Sequence, residues 1–217
     1  VSDDPQVASE LLVYRVKEPG APAYISRVVA TRSYLRIDEG GHSTGYLLLD
    51  RRDGTIYNIS DEDRTVMHID PAEHEIIDRP APEIAVQQSV QADAPRIAGV
   101  TPVEVSLMAD GTLCRSAVVL PGLLPEAVAG LREYHLVLAA REAATLPHMP
   151  PDTMTPCSLA LFVYQPDFAL QRGMPVQLWG DDGYSMQLVD FNDDFAVSET
   201  LFELPLDYRP VTLSPGG

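Results

Sequence analysis

The residues best equipped for chemistry crowd into one short stretch, His148-Met-Pro-Pro-Asp-Thr-Met-Thr-Pro-Cys157. Imidazole, thioether and thiolate are soft donors of the kind that suit copper(I), and His148, Met149 and Met154 form the candidate metal set. The same stretch carries three prolines, and the chain has one other cysteine, Cys114. With no CxxC and no zinc-type spacing, a Cys114–Cys157 disulfide is expected. It would close a loop of about 44 residues and add ~4 kcal/mol by restricting the unfolded chain. Two unrelated buried thiols are the alternative. A disulfide places the chain in an oxidising, extracytoplasmic compartment, and turns the stretch from a ligand set into a stapled connector.

Other constellations fall short of their chemistry. His74-Glu-Ile-Ile-Asp78 approaches HExxH but ends in Asp and lies in a segment that reads as strand, where the helical geometry of a zinc protease is absent. Asp190-Phe-Asn-Asp-Asp194 opens with the rhythm of a calcium loop, yet its sixth position is Phe195 and its twelfth Leu201, where an EF-hand needs Gly and Glu. No Gly-x-Ser-x-Gly occurs. The expectation is a noncatalytic protein without a cofactor. Its candidate ligand-binding residues are Tyr46, Leu48, Tyr57, Trp179 and Tyr184, large side chains in expected strands, where plain core packing is the competing role.

The surface chemistry narrows the partners. A formal charge of -17 arises from 32 acidic and 15 basic residues, and Lys17 is the one lysine. Such a field repels phosphate backbones and anionic headgroups, so neither nucleic acid nor a membrane surface is expected as partner. No apolar run is long enough to span a bilayer. A chain beginning at Val1 in place of Met fits a mature secreted product or a trimmed chain. Hydrophobic residues make up 45% of the 217, enough for a sizeable core and compatible with one β domain over residues 1–217.

The elements that must position these side chains read mostly as strands. Residues 1–10 are polar and expected to fray, 11–16 start a strand, and 24–38 form one long bent strand or two with a break near Ser33. Strands at 46–50, Thr55–Ser60, 65–70 and 74–78 follow, joined by "RRDG", "DEDR" and "PAE". Connections this short permit only antiparallel neighbours, so an up-and-down meander is expected, with Gly54 in a left-handed turn position. Within it Leu47-Leu-Leu49 breaks the alternation of a half-wet strand and demands apolar cover on both faces. Further strands are expected at the edge-like Ile84–Val90, at Thr112–Leu120, and at 158–164, 175–179, 184–189 and 195–204, with Gly180-Asp-Asp-Gly183 as a hairpin turn. One helix interrupts the β pattern in an excursion of about 122–146. It runs over Pro125–Thr145, with proline in its first turn and Glu126 at the positive end of its dipole. Leu124, Val128, Leu131, Tyr134 and Leu138 share one face; Arg132, Glu133, Arg141 and Glu142 take the other.

Three passages resemble the LolA/LolB-like superfamily of periplasmic lipoprotein carriers and its bacterial envelope relatives. They are "YLRIDEGGHSTGYLLLDRRDGTIYNISDEDRTVMHI" from Tyr34, "GMPVQLWGDDGYSMQLVDF" from Gly173, and the terminal "LFELPLDYRPV" from Leu201. The Phe-x-Leu-Pro-x-x-Tyr run in the last passage is the most family-like. The resemblance implies a mainly β fold of α+β class: a strongly curved, incompletely closed antiparallel β-barrel with a covering α-helix and a concave face that holds a lipid or acyl chain in the periplasm. The carrier's arginine-centred motif is missing from the early strand, so the resemblance implies shape and setting, not lipoprotein carriage as such. The expected partner is therefore a hydrophobic small molecule or lipid. The alternative is an envelope protein docking on a fold whose concavity is filled by its own side chains.

Overall fold

The computed structural model describes residues 4–41, 43–72, 80–150 and 153–212. The triple leucine shows how the chain is layered. Leu48 and Leu49 are each 1% exposed and point to opposite faces of one sheet. Leu49 packs with Leu35, Ile56, Ala127 and Leu131 in the core under the long helix. Leu48 packs with Val29, Ile59 and Phe202 in a second core on the far face, joined by Leu201, Leu204 and Tyr208 from the end of the same chain. Each leucine withdrawn from water stabilises the fold by roughly 1.5–3 kcal/mol. The second cover that the sequence demands is thus intramolecular.

The described residues form twelve strands of a single open sheet. β1 (Gln6–Lys17), β2 (Tyr24–Ala30), β3 (Tyr34–Asp38), β4 (Gly45–Asp50), β5 (Thr55–Ser60) and β6 (Thr65–Ile69) make the first meander. β7 (Ile84–Val90), β8 (Val103–Ala109), β9 (Thr112–Leu120), β10 (Met174–Trp179) and β11 (Ser185–Ser198) make the second. The two meanders meet along the antiparallel pair β1–β11, the longest strands, which bulge at Ser9/Leu11 and Val13/Tyr14. β12 (Arg209–Thr212) adds beside β6, so β12 and β7 are the two edges.

Short turns enforce the antiparallel order of β3 to β6, as expected from their length, and Gly54 takes φ 78°. Ser33 lies in the break between β2 and β3. Thr31 caps that turn: its Oγ1 accepts the N–H groups of Ser33 and Tyr34 at 3.2 and 3.0 Å. The edge strand Ile84–Val90 and the strand Thr112–Leu120 form as expected.

Several expectations are corrected. The sheet is open and not closed, as expected, but it is not purely antiparallel, because β12 runs parallel to β6. Over a hundred residues separate those two strands, so no short turn dictates their direction. Residues 6–10 are strand and do not fray, since β11 and β2 pair with them. β11 is one strand of 14 residues across the expected gap between 189 and 195, and ends in a 3₁₀ turn at Glu199–Phe202. Residues 158–164 are not strand: α2 (Pro156–Leu159) continues into a π-helical turn at Ala160–Tyr164. Thr155 accepts the Ser158 N–H at 3.1 Å and Pro156 opens the helix, cap chemistry that overrides a short apolar run of ambiguous period. The expected strand at 74–78, with its HExxH-like run, lies outside the described residues.

The long helix α1 (Pro125–Thr145) spans the expected residues. Its N-cap residue Leu124 has left-handed φ 51° and offers no side-chain cap. Glu10 of β1 supplies one from 117 residues away, accepting the Ala127 N–H at 2.8 Å. Arg51, with its side chain 8% exposed, donates to Glu126, to both oxygens of Glu133 and to the Thr31 carbonyl. Gly130 lets the helix approach closely: a Cβ there would lie 3.0 Å from Leu35 Cδ1. Glu133 and Arg132 fasten the helix while staying partly in water, with Arg132 Nε reaching Asp167 at 2.8 Å.

The disulfide Cys114–Cys157 joins β9 to α2, with the Cα atoms 5.2 Å apart. It sits in a third core of Val105, Leu107, Val119, Ala160 and Phe168, where the segment after α1 folds over β8 and β9. No helix among the described residues is long and apolar enough to cross a membrane.

Candidate functional site

Alternation along β1 places Leu12, Tyr14 and Val16 on the face beneath α1. The register carries that face across the sheet: Tyr14 lies opposite Ser26 and Leu188, and Val16 opposite Tyr24 and Met186. α1 and the turn after α2 stand over these strands without filling the space between. A cavity of about 770 Å³ results, lined on the sheet side by Val16, Ser26, Val28, Ile37 and Met186 and on the cover side by Leu131, Tyr134, Leu161 and Phe162. The volume falls in the range of small-molecule pockets, roughly 300–1,000 Å³.

Polar groups gather in its wall. Arg115, 6% exposed, donates to the two oxygens of Asp182 at 3.1 and 3.3 Å, and its guanidinium carbon lies 4.4 Å from the Tyr184 ring centroid. The Tyr14 hydroxyl donates to the Pro175 carbonyl at 2.9 Å. Burial pushes that phenol far above its ordinary range, with Tyr184 adding to the effect. The Tyr24 hydroxyl donates to Glu18 at 3.0 Å; burial and then this bond push its pKa up to about 12. Burial also raises Tyr184, against the opposing pull of Arg115. Burial lowers His135, with Asp167 partly offsetting it, so the imidazole is neutral at pH 7. With Tyr134, whose phenol burial also raises, four protonated phenols, one neutral imidazole and one guanidinium can orient a ligand.

A second hollow of about 1290 Å³ borders the C-terminal half of α1, lined by Ile69, Leu138, Ala139, Glu142 and His148. It shares Tyr134, His135, Leu161, Phe162 and Pro166 with the first. Phe162 is 56% exposed and belongs to both walls, a large apolar side chain left partly in water where the two hollows meet.

The expected ligand residues divide between the faces. Tyr184 lines the cavity. Tyr46, Leu48 and Tyr57 lie together on the opposite face, under the chain's own terminal segment. The Tyr46 hydroxyl donates to the Glu203 carbonyl at 3.1 Å while Arg36 stacks 3.6 Å from its ring centroid, and Tyr57 meets the His68 ring edge-on at 4.8 Å. Trp179 is half-buried beside Leu178, and since Leu178 faces the cavity, strand alternation turns Trp179 away from it. Tyr14, Tyr24, Arg115, His135 and Phe162 were not expected. One signal was available for Arg115, a lone charge inside the apolar run Leu113-Cys-Arg-Ser-Ala-Val-Val-Leu120.

Cys157 is bound to Cys114 and so offers no thiolate to a soft metal at His148, Met149 and Met154. Among the described residues no three or more His, Cys, Asp and Glu side chains gather as a metal site.

No family model matches the chain, and no curated protein matches it. Among solved structures it is similar to an uncharacterized conserved protein from Thermus thermophilus, with TM-score 0.47, 8% identity, and 94% of this chain and 90% of that one covered. It is also similar to PNGF-II, with TM-score 0.44 and 6% identity over 95% of this chain. The match covers 31% of PNGF-II, so the chain spans less than a third of that protein's length.

Proposed function

We propose that the chain is a noncatalytic periplasmic protein of LolA-like type that binds a hydrophobic ligand of the acyl-chain class in the cavity beneath α1. The observation that carries this reading is the cavity itself, about 770 Å³ between an apolar stretch of sheet and an apolar helix face. A ligand entering it would gain ~0.8 kcal/mol for each methylene withdrawn from water. Retention needs no proton transfer and no cofactor. The Cys114–Cys157 bridge supports an oxidising compartment, and it tethers to β9 the segment that carries Leu161 and Phe162. α1 acts as the cover: Glu10, Arg51 and Arg132 fasten its N-terminal half, and its C-terminal half borders the second hollow, where a chain could enter.

Native mass spectrometry of gently purified protein tests this. A lipid-sized adduct lost on delipidation is the expected result, as is uptake of a long-chain lipid by the delipidated protein. Phe162→Asp, at an exposed position, should weaken uptake by about tenfold without unfolding the chain, since it puts a charge in the path of an apolar ligand. Repeated absence of adducts together with no uptake would sink the proposal.

One observation favours a second reading, an interaction module for an envelope protein: Phe202, Leu201 and Leu204 already fill the sheet face that bears Tyr46, Leu48 and Tyr57. On that reading the delipidated protein takes up no lipid and retains an envelope protein after mild crosslinking.

A further inference from the structure

We infer that Arg115 is the polar terminus of the cavity and selects a long-chain carboxylate, a free fatty acid, over neutral lipids of the same chain length. The inference rests on the ligand reading above and narrows its substrate class.

Arg115 is the cation in the cavity wall that is almost wholly withdrawn from water, with 7% of its side chain exposed. A guanidinium carries five N–H donors, of which Asp182 takes two. At 3.1 and 3.3 Å those bonds are longer than the roughly 2.7–2.9 Å of a tight charge-assisted pair. Asp182 belongs to the turn between β10 and β11, and its side chain is 52% exposed. Its Oδ1 also accepts the Tyr184 N–H at 3.0 Å, so a ligand that displaces it must offset that bond as well as the ion pair, while the exposed carboxylate regains water. Gly180 makes room for the pair, because a Cβ there would lie 2.8 Å from Asp182 Oδ1 and 3.0 Å from Arg115 Nη1. The Tyr184 ring holds the other side of the ion.

A ligand carboxylate matches the planar fork of Arg115 by two parallel hydrogen bonds. It would replace Asp182 as the counter-charge, so the buried cation exchanges one carboxylate partner for another and the charge balance of the pocket is kept. The other carboxylates of the wall are already engaged: Asp167 accepts from Arg132 and Gln171, and Glu18 accepts from Tyr24. The apolar wall from Val16 to Leu161 then receives the alkyl chain. An alcohol or ester of the same length fills that wall equally well but leaves Arg115 with Asp182. Selectivity follows from the headgroup alone.

The test is a native mass spectrometry competition in which the full, delipidated chain is offered equimolar palmitate and hexadecanol at about pH 8, where a carboxylic acid is ionised. Wild type should favour palmitate by about tenfold, the effect of one hydrogen bond to a charged group. Asp182→Asn removes the competing carboxylate and should raise that preference by a further tenfold or so, with hexadecanol binding unchanged. Arg115→Gln should abolish the preference. Should that variant fail to fold, Asp182→Asn decides on its own. Equal binding of the two ligands by wild type, unmoved by Asp182→Asn, overturns the inference and leaves the hydrophobic-ligand reading standing. Binding of neither ligand overturns both.

Discussion

Among the described residues Asp38 is a heavily constrained ionic group, with four hydrogen bonds to its carboxylate. It is 5% exposed and receives Arg27 at 2.8 Å on each oxygen, Arg36 at 2.7 Å and the Gly40 N–H at 2.9 Å. Burial alone would raise its pKa, but the hydrogen bonds from Arg27, Arg36 and Gly40 outweigh burial and hold it below the ordinary carboxylate value. A carboxylate with a depressed folded pKa stabilises the protein above its unfolded value near 3.8, and that stability is lost as pH falls through the lower folded pKa. Asp38→Asn should cost about 3 kcal/mol at pH 7 by leaving two arginines short of their counter-charge, and the difference from wild type should shrink as pH falls below the ordinary value of 3.8 and through the lower folded pKa. Urea unfolding at pH 7 and through that acid range measures both parts. Arg36 also donates to the Leu201 carbonyl at 2.9 Å, so the same substitution should loosen the terminal segment that covers Leu48. Hydrogen exchange at residues 199–204 reports that loosening.

At the scale of elements, α1 depends on a partner distant in sequence. Glu10 caps it, yet burial raises the pKa of Glu10, helped by Glu126 and Asp193 and opposed by the bond from Ala127. A carboxyl group with a raised folded pKa contributes stability below its unfolded value, and this fades as pH rises through the folded pKa. Glu10→Gln keeps an acceptor for the Ala127 N–H and removes the buried charge. It should therefore leave the protein at least as stable as wild type at pH 7 and flatten the pH dependence just above the ordinary value of 4.5. Glu10→Ala loses the cap and should cost about 1 kcal/mol. Thermal melts of the two variants separate the cap from the charge. The other cover depends on Cys114–Cys157. Its reduction should cost up to ~4 kcal/mol, read as a fall in the urea midpoint on adding dithiothreitol, because the bridge spans 43 residues of chain.

For the whole molecule, the net charge of -17 sets a self-repulsion that several arginine pairs offset only locally. Raising sodium chloride from about 10 to 300 mM shortens the screening length from roughly 30 Å to under 10 Å. Repulsion among surface carboxylates acts over longer distances than the partly buried pairs, which salt reaches poorly. The melting temperature should therefore rise by several degrees with salt, as differential scanning fluorimetry would show. A fall would mean that surface pairs outweigh the repulsion.

What the residues determined by themselves is what depends on neighbours in the chain. The tight turns of the first meander, the glycine at position 54, the helix over Pro125–Thr145 and the edge strand at Ile84–Val90 all follow from local period and turn chemistry. The demand of Leu47-Leu-Leu49 for two apolar covers was legible in the same way, and the pairing of the only two cysteines followed from their number. Partners across the fold were not. The terminal segment over Leu48, the parallel docking of β12 on β6, the joining of the meanders through β1 and β11, and the cap that Glu10 gives α1 all link residues far apart in sequence. Such pairings are chosen by complementary surfaces that exist only once both elements have formed. The cavity is decided at that level too. Tyr14, Tyr24, Arg115, His135 and Phe162 come from β1, β2, β9, α1 and the turn after α2, and only the sheet order brings them to one wall.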